Sequence, residues 1–357
     1  MFSNLFLKSF RIFLFPFSLL YLAVIFLRNW LFDKQILGSS RFGLPLVCVG
    51  NLSVGGTGKS PMVEYLLDLL RHRYKVATLS RGYKRKTKGY ALADARSSAL
   101  DIGDEPMQFH LKYPEVPVAV GEERIEAIPQ LLHDRPDTQV IILDDAFQHR
   151  SVKAGLNILL TDYNNLFTRD FYLPTGDLRD LKSGYKRAQL IVVTKCRPDL
   201  DESERQKIIR EIRPRENQEI FFTCIDYGRP YHISTREERK LNPDTEVLLV
   251  TGIANPRPLK KLLEEHAHTY QMLQYPDHHI FTIDDLAEIR QQVRKMKALD
   301  KVILTTEKDM VRLLKFSTEL EGLPLYVVPV RHRFLFEEGP AFDRQVISFI
   351  DHFKNEQ

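Results

Sequence analysis

Gly50-Asn51-Leu52-Ser53-Val54-Gly55-Gly56-Thr57-Gly58-Lys59-Ser60 is the stretch around which this 357-residue chain is organised. It follows an apolar run, Leu46-Val47-Cys48-Val49, and precedes residues 62–70, whose apolar side chains recur at helical spacing. A strand, a glycine loop and a helix in that order are the context a phosphate-binding loop requires. Glycines let backbone N–H groups curl round an anion, and the helix N-terminus adds partial positive charge. Ser53, Val54, Gly55, Gly56, Thr57, Gly58, Lys59 and Ser60 are therefore the expected nucleotide cradle. Lys59 is expected to reach the β- and γ-phosphates, and the Ser60 hydroxyl to ligate Mg²⁺. Pro61 falls in the first helical turn, where a missing N–H costs little. The common G-x-x-x-x-G-K-[ST] pattern has glycine where this chain has Ser53.

Working outward, residues 76–81 read as a strand that runs into a basic stretch, Arg81-Gly82-Tyr83-Lys84-Arg85-Lys86-Thr87-Lys88. Such a run is either a solvated loop or a holder for an anionic substrate. Gly103-Asp104-Glu105-Pro106 opens a helical pattern, and its carboxylates read equally well as N-terminal caps or as site residues. Val140-Ile141-Ile142-Leu143-Asp144-Asp145 is a buried parallel strand whose carboxyl end carries charge at the ligand-binding rim of a sheet. That position supplies the acidic group for Mg²⁺ in P-loop enzymes. Further apolar runs at 157–162, 190–195 and 219–224 continue the alternation of a doubly wound α/β sheet. Arg179 stands in the loop between two of them, within reach of a transferring phosphate.

Periodicity fades between residues 227 and 244, which divides the chain into a P-loop core at 46–226 and a smaller α/β lobe at 227–357. Tyr275-Pro276-Asp277-His278-His279 lies in the smaller lobe. Adjacent histidines point opposite ways in extended chain and no further cluster completes a zinc site, so His278 reads as a base partner facing the cleft or as a loop residue bonded to backbone. An amphipathic helix over 342–353 closes the chain and could pack back on the core.

Residues 12–27 are an uncharged run of sixteen, preceded by Lys8 and Arg11 and followed by Arg28, Trp30 and Lys34. As a helix the run measures about 24 Å, short of the roughly 30 Å hydrocarbon core, so a helix lying in or dipping into a bilayer is expected over 1–45. The net charge of +4 arises wholly within that segment, from Lys8, Arg11, Arg28, Lys34 and Arg41 against Asp33. The balanced remainder argues against a nucleic-acid binder. Cys48, Cys196 and Cys224 are too dispersed for a disulfide framework or a zinc site and read as reduced thiols.

Taken together, VGNLSVGGTGKSP, LSRGYKRK, GDEP, VGEER, DDAFQH, LPTGDLRD, VTK, TGIANP, YPDHHIF and TTEKD resemble the tetraacyldisaccharide 4'-kinase family, in order and across nearly the whole chain. The resemblance implies transfer of the ATP γ-phosphate to the 4'-hydroxyl of lipid A disaccharide 1-phosphate, giving lipid IVA at the cytoplasmic face of the inner membrane; Mg²⁺ as cofactor and a monomeric chain are expected with it. By that match Asp104 is the general base, with His278 orienting or sharing its proton. Glu105, Asp144 and Asp145 are the carboxylates on the metal side, and Arg124 and Arg179 neutralise charge on the phosphoryl oxygens. Ser53 is ordinary for the family, whereas Ala146 and Lys84 stand where its pattern has glycine. The rival class is a membrane-associated P-loop ATPase switch, for which Thr194-Lys195-Cys196-Arg197 offers a partial guanine-reading motif with Arg197 in the aspartate's place.

Overall fold

The computed structural model describes residues 11–267 and 269–355; Lys8 lies outside them. In chain order the elements are α1 (Phe15–Asp33), β1 (Leu46–Asn51), α2 (Lys59–Leu70), β2 (Val76–Ser80), β3 (Ala91–Leu92), α3 (Ala99–Ile102), α4 (Asp104–Lys112), β4 (Val118–Val120), α5 (Arg124–Asp134), β5 (Val140–Asp144) and β6 (Leu156–Asp162). They continue with β7 (Leu190–Thr194), α6 (Glu202–Ile212), β8 (Glu219–Tyr227), β9 (Tyr231–His232), β10 (Glu246–Thr251), α7 (Arg257–His266), β11 (Thr269–Gln274) and α8 (Ile283–Lys295). Last come β12 (Lys301–Thr306), α9 (Glu307–Leu313), α10 (Ser317–Leu320), β13 (Leu325–Val328), β14 (Val330–Phe334) and α11 (Gly339–Asn355).

Among the described residues the strands form two sheets. The first has the order β14-β8-β7-β6-β1-β5-β2-β4-β3. Its interior pairs are parallel, and β3 and β14 add antiparallel edges. Alternate residues of a strand face opposite sides. Leu46 and Cys48 of β1 accordingly join one core, with Ile141 and Leu143 of β5, while Val47 and Val49 join the other, with Ile142. Helices must cover both faces of such a sheet, and α2 does so on the second face through Met62, Val63, Leu66 and Leu67. The second sheet, β11-β10-β12-β13-β9, is parallel except at β9 and has cores of its own on both faces.

After β13 the chain leaves the second sheet. Residues Val330–Phe334 pair antiparallel with β8, and Phe342, Val346 and Ile350 of α11 fill the α2 face of the first sheet. Their spacing of four is a single helical stripe. The first sheet is thus completed from both ends of the sequence.

The N-terminal helix is longer than its uncharged run. Arg28 does not end it, because its guanidinium lies over the Phe32 ring at 5.3 Å and donates to the Gln148 carbonyl oxygen at 2.8 Å. The apolar element spans Ile12–Asp33, 22 residues, or about 33 Å at 1.5 Å per residue. By length and composition it is sufficient to cross a membrane, where the uncharged run alone fell short.

Candidate active site

The phosphate-type loop follows β1 at the centre of the first sheet. Gly55 and Gly58 adopt φ of 103° and 85°, conformations that L side chains rarely hold. The loop is gripped from behind by its carbonyl oxygens. Thr194 Oγ1 donates to Thr57 O at 2.8 Å, Lys195 Nζ donates to Gly56 O, and His332 Nε2 donates to Gly58 O at 2.8 Å. Peptides whose carbonyls are held behind turn their N–H groups to the front, which is the geometry an anion needs. Burial pushes His332 down to about 4, so it stays neutral, with Nδ1 accepting from Thr223 Oγ1 at 2.9 Å. Ser53 lies in a bridge with Leu178, and the Val54 N–H donates to Asp177 O at 2.7 Å, which ties the loop entry to the Arg179 segment.

Beside the loop stands an acidic rim at the end of β5. Asp145 sits at a strained φ of 51° and gathers cations. Lys59 Nζ approaches its Oδ1 to 3.7 Å, Arg179 Nη1 donates to its Oδ2 at 3.1 Å, and Arg179 Nη2 reaches both Asp145 Oδ1 and, at 2.6 Å, Asn51 Oδ1. Burial works to raise its pKa, but Lys59 and Arg179 hold it down at about 2. Asp144 goes the other way. Burial, then Glu105 and Asp145, raise it to about 7, and its Oδ1 is a buried oxygen without a hydrogen-bond partner. Ser60, buried at the first turn of α2, and Glu105 complete the oxygen-bearing side chains assigned to this quarter.

A second cluster draws on both sheets. His278 Nδ1 lies 2.8 Å from Asp104 Oδ2 at the head of α4. Arg312 of α9 donates through Nη2 to the same oxygen at 2.6 Å and stands 3.1 Å from His278 Nδ1. Behind it Arg312 Nη1 meets Asp309 Oδ1 at 3.2 Å, and Asp309 is fixed by the Thr306 cap of α9 and by Thr251. Burial pushes Asp104 up, yet His278 and Arg312 together hold it at about 2. One residue on, Lys308 Nζ bonds Glu105 Oε1 at 2.6 Å. Burial opposes charge on both partners, but their attraction wins, leaving Glu105 below and Lys308 above its ordinary value. Residues Asp104-Glu105 and Lys308 to Arg312 thereby link the cluster to the acidic rim.

One candidate residue does not face the loop chemistry. Arg124 has no exposed surface, and its guanidinium donates to the carbonyl oxygens of Gly121, Glu122 and Asp144. Burial lowers it to about 10. Its Nε is a buried atom without a hydrogen-bond partner, and Asp144 and Asp145 are the charges that favour its protonated form most. His279, the neighbour of His278, turns away to Asp285 at 2.8 Å and stacks on Tyr275. Lys84, which stands where the resembled pattern has glycine, has φ of 61°, so the chain keeps there the left-handed turn that glycine takes more cheaply. Lys308, Arg312, Lys195 and His332 were not legible as site residues. A lysine and an arginine four apart near a threonine cap read only as an ordinary helix start.

A glycine loop at the central strand, a carboxylate rim beside it and a carboxylate–histidine–arginine cluster that joins Asp104 of the first lobe to His278 and Arg312 of the second define a P-loop enzyme of the group-transferring kind. Residues 10–351 match the family model described as tetraacyldisaccharide-1-P 4'-kinase, and the chain belongs to that family. It is 46% identical over 342 residues to the tetraacyldisaccharide 4'-kinase of Flavobacterium johnsoniae, covering 94% of this chain and 96% of the relative. The protein of that name from Bacteroides thetaiotaomicron is 43% identical over 351 residues, covering 94% and 92%. The fold matches the crystal structure of LpxK from Aquifex aeolicus in complex with ATP, with a TM-score of 0.75 and 27% identity, over 96% of this chain and 99% of that one.

Proposed function

We infer that this chain is an ATP-dependent kinase that moves the γ-phosphate of ATP to the 4'-hydroxyl of a tetraacylated disaccharide 1-phosphate, giving lipid IVA. Family membership and near-complete coverage by relatives of that name support the reaction, and the ATP complex of the Aquifex aeolicus protein supports the nucleotide. The observation that carries the reading is the family match over residues 10–351. A switch must pass on a proton of water and a kinase that of a hydroxyl, so the Asp104–His278–Arg312 cluster supports a proton-accepting site for either, and the match decides for the kinase. No observation favours the switch.

The loop amides and Lys59 hold the β- and γ-phosphates. Asp104, ionised at neutral pH, accepts the hydrogen bond of the acceptor hydroxyl and then its proton, with His278 and Arg312 orienting it. Arg179, on the loop side of Asp145, meets the charge of the transferring group, while Arg124 braces the rim from beneath. The donors suit Mg²⁺, a hard cation that takes oxygen ligands. Asp144, whose buried Oδ1 has no partner, and Ser60 would hold it, with Asp145 and Glu105 alongside. When bound it neutralises phosphate charge. Among the described residues no group of three or more His, Cys, Asp or Glu is placed to hold a metal ion.

The acceptor carries acyl chains, each exposed methylene costing about 0.8 kcal/mol in water, so the enzyme must work at a bilayer. Exposed Phe17, Leu20, Phe26 and Leu27 on α1 support a seat in the inner membrane, with ATP on the cytoplasmic side. The basic segment from Arg81 to Lys88 suits the anomeric phosphate.

The test is to incubate the full chain with γ-labelled ATP and detergent-dispersed disaccharide 1-phosphate and to separate the lipids by chromatography. A labelled, doubly phosphorylated lipid is expected. Label recovered only as inorganic phosphate would remove the kinase reading.

A further inference from the structure

The face of α1 turned toward the protein carries its polar side chains. Ser18 and Asn29 are buried there with Ile25, while Phe17, Leu20, Val24, Phe26 and Leu27 are exposed. A helix on a water-soluble surface has the opposite arrangement. Its polar side chains converge on one segment of the first lobe. Ser18 Oγ donates to Tyr172 O at 3.1 Å, the Tyr21 hydroxyl donates to Arg179 O at 3.3 Å, and Asn29 Nδ2 donates to Asp180 Oδ1 at 2.7 Å. That segment carries the guanidinium which meets Asp145.

Asp180 is the hub. It is 1% exposed, and its Oδ1 also accepts from the Leu181 N–H at 2.8 Å while its Oδ2 accepts from Arg187 Nη2 at 2.7 Å. Arg187 in turn lies over the Phe147 ring, at 4.4 Å, just past the Asp144-Asp145 corner. A buried carboxylate deprived of a donor must move to find another. Arg179 is the residue before it, with its own N–H on Leu52 O at 2.8 Å. Any shift of Asp180 therefore pulls on the backbone that aims Arg179 at Asp145 and at the loop entry.

We propose that Asn29 is a positioning residue for phosphoryl transfer: through Asp180 it fixes Arg179 against Asp145, so that the seat of the apolar helix is transmitted to the reaction centre. The inference rests on the reading of Arg179 given above.

The test uses the full chain and acceptor embedded in phospholipid vesicles. Asn29→Asp sets a second carboxylate against Asp180 and is expected to lower kcat about tenfold. KM for ATP and flotation with vesicles stay near their starting values; Tm falls, because the two facing buried carboxylates are only partly offset by Arg150, whose Nη1 lies 3.4 Å from Asn29 Oδ1, so kcat is read per folded enzyme well below Tm. Combining Asn29→Asp with Asp180→Asn exchanges donor and acceptor and recovers much of the lost kcat, the facing Leu181 N–H limiting the recovery. Asn29→Asp without effect on kcat overturns the proposal. So does a loss of kcat that follows Tm or flotation and is not recovered by the exchange. Arg179→Ala separates the two levels. If it lowers kcat while Asn29→Asp does not, the positioning role falls and the site reading stands; if it leaves kcat unchanged, both fall.

Discussion

Arg312 Nη2 stands 2.6 Å from Asp104 Oδ2, so a residue of the second lobe sets the charge of the proposed base in the first. Burial alone would push Asp104 upward, and the hydrogen bonds from His278 and Arg312 reverse that, to about 2. Removing the guanidinium leaves the burial effect less opposed. In Arg312→Met the acidic limb of the kcat profile, measured at saturating nucleotide and Mg²⁺, is expected to move toward neutrality by about 1–3 pH units. Arg312→Lys should move it less.

Asp104→Asn keeps the shape of the cluster and removes its proton acceptor. A fall in kcat of about a hundredfold or more is expected, with KM for ATP little changed, because Asp104 pairs with His278 and Arg312 and is not part of the loop. Steady-state kinetics with the two substrates varied separately checks both halves.

Asp144 is raised to about 7 by burial and by Glu105 and Asp145, so near neutrality a proton competes with a cation for its oxygens. Below pH 7 the protonated form dominates and Mg²⁺-dependent nucleotide binding should weaken by about tenfold per pH unit; above pH 7 it should level off. Calorimetry in buffers of different ionisation enthalpy should register proton release on binding. Asp144→Asn should abolish that release.

Lys112 joins Glu64 of α2, at 2.6 Å, to Glu307 of α9, at 2.7 Å, and both carboxylates are buried. Lys112→Met strands them, at an expected cost of about 3–5 kcal/mol in stability. Burial, then Glu307, already raises Glu64 to about 7. A carboxylate raised in the folded state binds more protons there than in the unfolded chain, so stability falls as pH rises from the unfolded value through the folded one. The deficit of the variant should therefore be smallest in acid and grow toward and beyond pH 7, as read from Tm across that range.

On α1, Leu20→Glu and Phe26→Glu change side chains that touch little of the protein. Each should reduce partitioning into vesicles by about tenfold while leaving activity on detergent-dispersed acceptor nearly intact.

The parts of this molecule that are local in sequence were readable as such. The loop from Gly50 to Ser60 and the β5 run ending at Asp144 each announce themselves through spacing and residue type, whereas the paired His278-His279 left a base partner and a backbone-bonded loop residue equally open. What could not be read were contacts made by distant segments. Nothing near Val330 says that the chain leaves one sheet to edge another, since a short strand of mixed polarity fits either. Nothing in residues 307–313 separates Lys308 and Arg312 from the cations of any helix. Arg124 was ambiguous for the converse reason, because an arginine at a helix start beside an acidic strand looks the same whether its guanidinium meets a ligand or backbone carbonyls, and here three carbonyls accept from it. The length of α1 was missed because Arg28 looked like a boundary, and its contact with Gln148 is visible only in three dimensions.

The central claim is that ATP is spent on a lipid-borne hydroxyl. The most direct measurement is ADP formation by the purified full chain with Mg²⁺, with and without disaccharide 1-phosphate in mixed micelles. Near-idle turnover without the lipid, and one phosphorylated lipid for each ADP when it is supplied, is the predicted result. Equal ADP formation in both conditions would contradict it.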